Sequence, residues 1–164
     1  MSGYDVKQFI DESISHFWAE SYGNLYPRLR QLEEEGLVRR RQEQRDAAPD
    51  AYVYSLTEAG RKAFLEWMTE PAEEERVRNE LLLRVFFASE VPLSATARQI
   101  EDSARTQEAT LSSFRGIASG LEPEYADDPR KAYWLMTLRR GELVAEARLA
   151  WARESLDMLR SLGE

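Results

Sequence analysis

Asn24, Arg28 and Gln31 fall four and three residues apart in "SYGNLYPRLRQLEEEGLVRRRQEQR", which runs from Ser21 to Arg45. Helical spacing puts these three on one flank. An Asn or Gln amide donates and accepts at once, and an arginine offers a planar fork of donors. Such groups pair with adenine and guanine edges in the major groove of duplex DNA. Ser21, Tyr22, Tyr26, Pro27 and Arg30 complete the candidate reading surface. Arg39, Arg40, Arg41 and Arg45 follow closely and suit phosphate oxygens. Each residue also has a plainer reading alone. A flank tyrosine packs, a proline shapes a helix start, and an arginine run guards a strand edge. The order of the surrounding elements favours the DNA reading.

Other chemistries find less support. The sequence has no Gly-rich phosphate loop, no H-E-x-x-H and no cysteine. A lone histidine, His16, makes neither a metal site nor a nucleophilic triad. No enzyme, metal or cofactor is expected. The four tryptophans invite a ligand reading, because flat molecules stack on aromatic rings. Trp67 is expected in the core. Trp134 and Trp151 are the candidates for contact with a small aromatic effector.

These side chains need a frame. Ser2 can cap a helix over residues 3–15, with Val6, Phe9, Ile10 and Ile14 on one face. Leu25, Leu29 and Leu32 form the inner stripe of a second helix. Pro27 fits best in a first turn, so regular helix is expected from Asn24 onward, after a looser turn at Ser21. Gly36 supplies the stop. Strand patterns over 37–42 and 51–56 make a hairpin, and Thr57 caps a helix over 58–69. Long helices follow at 73–89, 93–119 and 130–162, with "GLEPEYADDP" as a turn. The last helix carries two apolar rows. One is a seam of Trp134, Leu138, Gly141, Ala145, Leu149, Ala152, Leu156 and Leu159, spaced as in a coiled coil. It is the expected dimerisation surface. The other is Met136, Val144, Ala147, Trp151, Met158 and Leu162, so the helix is expected to meet at least two neighbours. The fold class is mainly α: a winged helix-turn-helix domain at 1–70 and a long-helix dimerisation and effector domain at 71–164.

The chain of 164 residues carries a net charge of −8, an awkward sign for a DNA binder. The surplus is uneven. From Arg28 to Lys62 there are eight basic and seven acidic residues, leaving 14 basic and 23 acidic elsewhere. No apolar run approaches the ~20 residues of a membrane span. The N-terminus has no signal-peptide core. The expected location is the cytoplasm.

"SGYD", "YGNLYPRLRQLEEEGLV" and "YSLTEAGR" together resemble the PadR-type transcriptional regulators over residues 1–68. The helical remainder resembles, with weaker motifs, the C-terminal half of the virulence-activator subgroup. The resemblance implies a homodimer on double-stranded DNA, acting as a repressor on a pseudo-palindromic operator, with effector control through the helical half. Family members usually carry another apolar helix before "SGYD", whereas this sequence opens at "MSGYD". Part of the Leu25/Leu29/Leu32 face and the Ala63/Trp67 face is therefore expected to lack cover. A second reading is a helical homodimer that binds a small aromatic ligand or a protein and no DNA. Specific, salt-sensitive binding to a duplex separates the two.

Overall fold

The computed structural model of the chain describes residues 1–18, 20–45, 48–74 and 78–163, with side chains except at 44–51 and 122–124. The chain divides into two compact units, Met1–Glu75 and Arg76–Glu164. It is mainly helical, with one two-stranded sheet.

In the first unit, α1 spans Gly3–Phe9 and passes into a π-helical turn at Ile10–Ile14. Ser2 starts it with a capping box. Its hydroxyl accepts from the Asp5 amide at 3.2 Å, and its own amide donates to Asp5 Oδ2 at 2.7 Å. Helix α2 spans Tyr22–Glu34, and the Ser21 hydroxyl caps it by accepting from the Asn24 amide at 3.3 Å. Regular helix thus begins two residues earlier than expected, which leaves Pro27 in the second turn. The Gly23 carbonyl loses its partner there. Gly23 is exposed, so water can replace the missing donor and the cost of the proline falls.

Helix α2 ends in a Schellman turn. Gly36 has φ +72°, the Leu37 amide donates to Leu32 O at 2.8 Å, and the Gly36 amide donates to Glu33 O at 3.0 Å. Strand β1, Val38–Arg45, then pairs antiparallel with β2, Ala48–Leu56. Both are longer than the sequence pattern indicated. The register sets Arg40 opposite Tyr54 and Arg41 opposite Val53. The outer edge of β2 is not bare: the Tyr54 amide donates to Met1 O at 2.8 Å, and Ser2 bridges to Val53.

Helix α3, Glu58–Trp67, is capped by Thr57, whose hydroxyl accepts from the Gly60 amide at 3.0 Å. The same hydroxyl donates to Gly36 O at 2.8 Å, tying the start of α3 to the end of α2. Of the Leu25/Leu29/Leu32 face, part of which was expected to lack cover, Leu25 and Leu29 are buried and Leu32 is half-buried. Helix α1 packs on α2 and supplies part of that cover. Trp67 departs from its expected core position. It is 61% exposed, with its ring 6.1 Å from that of Phe64, in line with the other expectation, that the Ala63/Trp67 face lacks cover; Phe64, Leu65 and Met68 are exposed too.

Of the helix expected at 73–89, residues 75–77 lie outside the described residues; among the rest, the helix is α4, Glu80–Phe86. Asn79 caps it by accepting from the Leu82 amide at 3.1 Å, which fixes the start there. A single 3₁₀ turn at Ala88–Glu90 leads to α5, Leu93–Glu124, which runs five residues past the expected end and through Pro123. Helix α6 spans Lys131–Leu162 and pairs with α5 as a hairpin. The buried core holds Ile100, Leu111, Phe114, Leu138, Ala145, Leu149 and Ala152. Gly141 permits the closest approach, since a Cβ there would sit 2.6 Å from the Phe114 ring. Among the described residues no helix is long and apolar enough to cross a membrane.

Candidate nucleic-acid interface

Helix α2 turns Leu25 and Leu29 inward, and the opposite consequence follows for its other residues. Ser21, Tyr22, Asn24, Tyr26, Pro27, Arg28, Arg30 and Gln31 are all exposed. They are not equivalent. Tyr22 and Tyr26 stack at 6.3 Å with planes 19° apart, and Lys7 Nζ lies 5.5 Å from the Tyr22 ring centre. A Cβ on Gly3 would meet the Tyr26 ring at 2.6 Å. The two tyrosines therefore lie between α1 and α2 while remaining exposed on their other side. Arg28 Nη1 donates to Gln31 Oε1 at 3.0 Å, and Gln31 Nε2 donates to Glu35 Oε1 at 2.9 Å. This chain of polar contacts holds the Arg28 and Gln31 heads along the helix surface. The Asn24 side chain stands in the first turn beside its capping serine.

The four wing arginines separate by strand parity. Arg39 and Arg41 share one face of β1, and Arg40 takes the other. Among the described residues no carboxylate lies within ion-pair distance of Arg30, Arg39 or Arg41. Arg40 is engaged. Its Nε lies 3.2 Å from Glu33 Oε1, and its guanidinium carbon 4.5 Å from the centre of the Tyr52 ring. Arg45 ends β1 by its backbone pairing with Ala48, and its side chain lies outside the described residues. Sequence reading did not pick out Glu33 or Tyr52. The signal was there: in β1 and β2, alternate residues share a face, which sets Arg40 and Gln42 with Tyr52 and Tyr54.

The seam expected to meet a second copy has its partner within the chain. Leu138, Ala145, Leu149 and Ala152 are buried, and Leu111 and Ala104 of α5 pack on Ala145 and Leu149. Trp134, Leu156 and Leu159 are half-buried along the same row. Coiled-coil spacing specifies a partner helix, and in an antiparallel hairpin the neighbouring helix of the same chain can fill that place. The second row is more exposed, with Met136 at 66%, Met158 at 65% and Leu162 at 72%, while Val144 and Trp151 are half-buried.

Trp134 is also less free than its type suggests. The Tyr125 ring meets it edge-on at 5.3 Å, and the Arg130 guanidinium lies 5.2 Å from its centre. Arg130 in turn binds Asp128, which holds that carboxyl well below its ordinary value, to about 2. Trp151 is half-buried. Neither tryptophan lines the open cavity of about 450 Å³ between α4 and α5, where Leu83, Phe87, Val91, Thr96 and Gln99 meet. Among the described residues no cluster of His, Cys, Asp or Glu could hold a metal ion.

A capped helix with an outward polar face, a glycine stop and an arginine-bearing hairpin define a winged helix-turn-helix unit, here joined to a long antiparallel helical unit. Residues 1–66 match the model of the transcriptional regulator PadR-like family, and residues 77–160 match that of the virulence activator alpha C-terminal domain. The chain belongs to the PadR-like family of transcriptional regulators. It is 25% identical to the negative transcriptional regulator PadR of Bacillus subtilis, over 83% of this chain and 78% of that one. The crystal structure of Bacillus subtilis PadR with operator DNA superposes with a TM-score of 0.81 at 22% identity, covering 97% of this chain and 91% of that one. The Vibrio cholerae virulence activator AphA superposes with a TM-score of 0.75 at 27% identity, covering 98% and 90%. A further structure holds Bacillus subtilis PadR with p-coumaric acid, at a TM-score of 0.75 and 23% identity, covering 98% and 90%.

Proposed function

We propose that this transcriptional regulator acts by binding duplex DNA, with α2 in the major groove and the β1–β2 wing on the flanking backbone. It is a regulator and not an enzyme, and its place of work is the cytoplasm, where a bacterial-type operator is found. The carrying observation is the exposed face of Asn24, Arg28, Arg30 and Gln31 on a helix whose Leu25 and Leu29 point inward, next to Arg39 and Arg41, which have no carboxylate within ion-pair distance among the described residues. Ser21 and Pro27 shape the start of that helix, and Tyr22 and Tyr26 hold its angle to α1. Domain 1–70 is the DNA-binding part, and 71–164 is the assembly part.

A homodimer presents two such helices to a pseudo-palindromic operator, with half-sites on the order of 34 Å apart. The exposed row of α6 supports assembly, through Met136, Met158 and Leu162. Repression, and control by a small aromatic effector, are part of this proposal; a relative described as a negative transcriptional regulator, and structures of PadR with operator DNA and with p-coumaric acid, support them. The test is a fluorescence-anisotropy titration against duplex DNA from upstream of its own gene, with a scrambled duplex beside it, at several salt concentrations. Preferential binding whose log K falls by several units per log unit of salt supports the reading. Equal, weak binding to both duplexes, or none, refutes it and leaves a helical homodimer with a ligand or protein partner.

A further inference from the structure

Arg40 stands between two arginines that face away from it, and its charge is already engaged. Its Nε is 3.2 Å from Glu33 Oε1, in the last turn of α2, and its guanidinium covers the Tyr52 ring of β2 at 4.5 Å. Three consecutive elements thus meet at one side chain. Both side chains of the ion pair are about one-third exposed, at 37% and 30%, so the contact lies at the rim and not loose in solvent. The planar guanidinium suits this role: its edge lies at ion-pair distance from the carboxylate while its face lies on the ring. Glu33 gains as well. A carboxylate at a helix C-terminus opposes the helix dipole and, next to a polyanion, adds repulsion. Pairing with Arg40 offsets both.

We propose that Arg40 is a positioning residue and not a phosphate contact: the Glu33–Arg40–Tyr52 clamp sets the angle between the recognition helix and the wing. Arg39 and Arg41, on the other face of β1, are left to meet the backbone. The inference rests on the DNA-binding reading above, but its geometry is a property of the free protein. The chain's middle arginine therefore determines how far apart the groove contact and the backbone contact sit.

The test pairs a DNA titration with hydrogen exchange on the full chain without DNA. Arg40→Gln weakens binding to the upstream duplex roughly three- to tenfold. Glu33→Gln weakens it too, although it removes a negative charge facing a polyanion. In the Glu33→Gln background, adding Arg40→Gln changes little, and the salt slope stays put. Arg40→Lys keeps the charge but not the planar face, and behaves like Arg40→Gln. Tighter binding by Glu33→Gln overturns the proposal. So does a further slope loss of about 0.9 in the double variant, the signature of one lost phosphate contact. In the free protein, amides of β1 and β2 exchange faster in both single variants, while those of α5 and α6 do not. Unchanged exchange in the wing overturns the clamp. A wild-type chain that binds no duplex refutes the DNA reading, and the exchange result then decides the clamp alone.

Discussion

Asn24 is the residue where function and structure compete least. Its backbone amide serves the Ser21 cap, and its exposed side chain has no structural duty in the first turn. Asn24→Ala should therefore leave the melting temperature near wild type and lower affinity for the operator selectively, by about 1–3 kcal/mol if one base contact is lost. Equal loss on a scrambled duplex would show that the reading face lies elsewhere. His16 poses the opposite case. It is the chain's only histidine, it is half-buried, and its ring meets Phe17 edge-on at 4.6 Å. Burial holds its pKa below the ordinary 6.5. In the window between that lowered value and 6.5 the unfolded chain binds more protons than the folded one, so stability falls as pH drops through it. Thermal melts from pH 7.5 to 5.0 should show this decline, and His16→Phe should flatten it. The exposure of the proposed reading face was legible in the sequence, because its residues fall outside by default once the leucine stripe claims the inside. The commitments of Arg40, Tyr22 and Tyr26 were not, because each depends on a contact across elements that spacing along the chain does not encode.

At the scale of elements, the caps and stops were the most legible features. Ser2, Gly36 and Thr57 each do locally what their types predict, since capping is decided within a few residues, whereas the Ser21 cap, two residues ahead of the expected start, was missed. Lengths were less so. Helix α5 continues to Glu124 because its hairpin partner extends beside it, whereas α4 starts only at Asn79 despite the helical charge pattern before it. The joint between α2, β1 and α3 was hidden altogether. A Cβ on Gly60 would fall 1.9 Å from Leu37 O, so α3 leans on the backbone at the start of the wing. Gly60→Ala raises helix propensity and on that ground alone would stabilise α3 by ~1 kcal/mol. The clash is with backbone and cannot be relieved by a rotamer change, so overpacking prevails and the variant should lose about 1–3 kcal/mol. Chemical denaturation followed by the tryptophan signal measures the sign. A stabilised Gly60→Ala protein would mean that α3 does not rest on Leu37.

At the scale of the whole molecule, the two rows of α6 make distinct predictions about assembly. The seam row closes the hairpin within one chain: Leu149 is 7% exposed and Ala145 1%. An Asp at Leu149 places a charge where only apolar partners exist, and a buried unpaired charge is among the costliest substitutions. Leu149→Asp should unfold the helical unit, and its circular-dichroism signal should drop with it. The second row differs because its residues lose little when charged in the isolated chain. Met136→Glu and Met158→Glu together should leave helicity and the melting temperature of dilute protein nearly unchanged. If this row joins two copies, the same double variant should sediment as a monomer where wild type sediments as a dimer. Its operator binding should then fall steeply, since one recognition helix replaces two on a symmetric site. A double variant that remains dimeric would exclude the second row as the interface. The exposed aromatic residues Phe86, at the end of α4, and Phe87, just after it, would then be the next surface to charge. The net charge of −8 belongs to this scale too. Dimerisation doubles it, so the arginine-rich wings must steer the approach locally while the rest of the surface repels the duplex. That arrangement favours a fixed orientation on DNA and makes non-specific sliding weak, and added salt should reduce the affinity for scrambled duplex to the detection limit well before it abolishes operator binding.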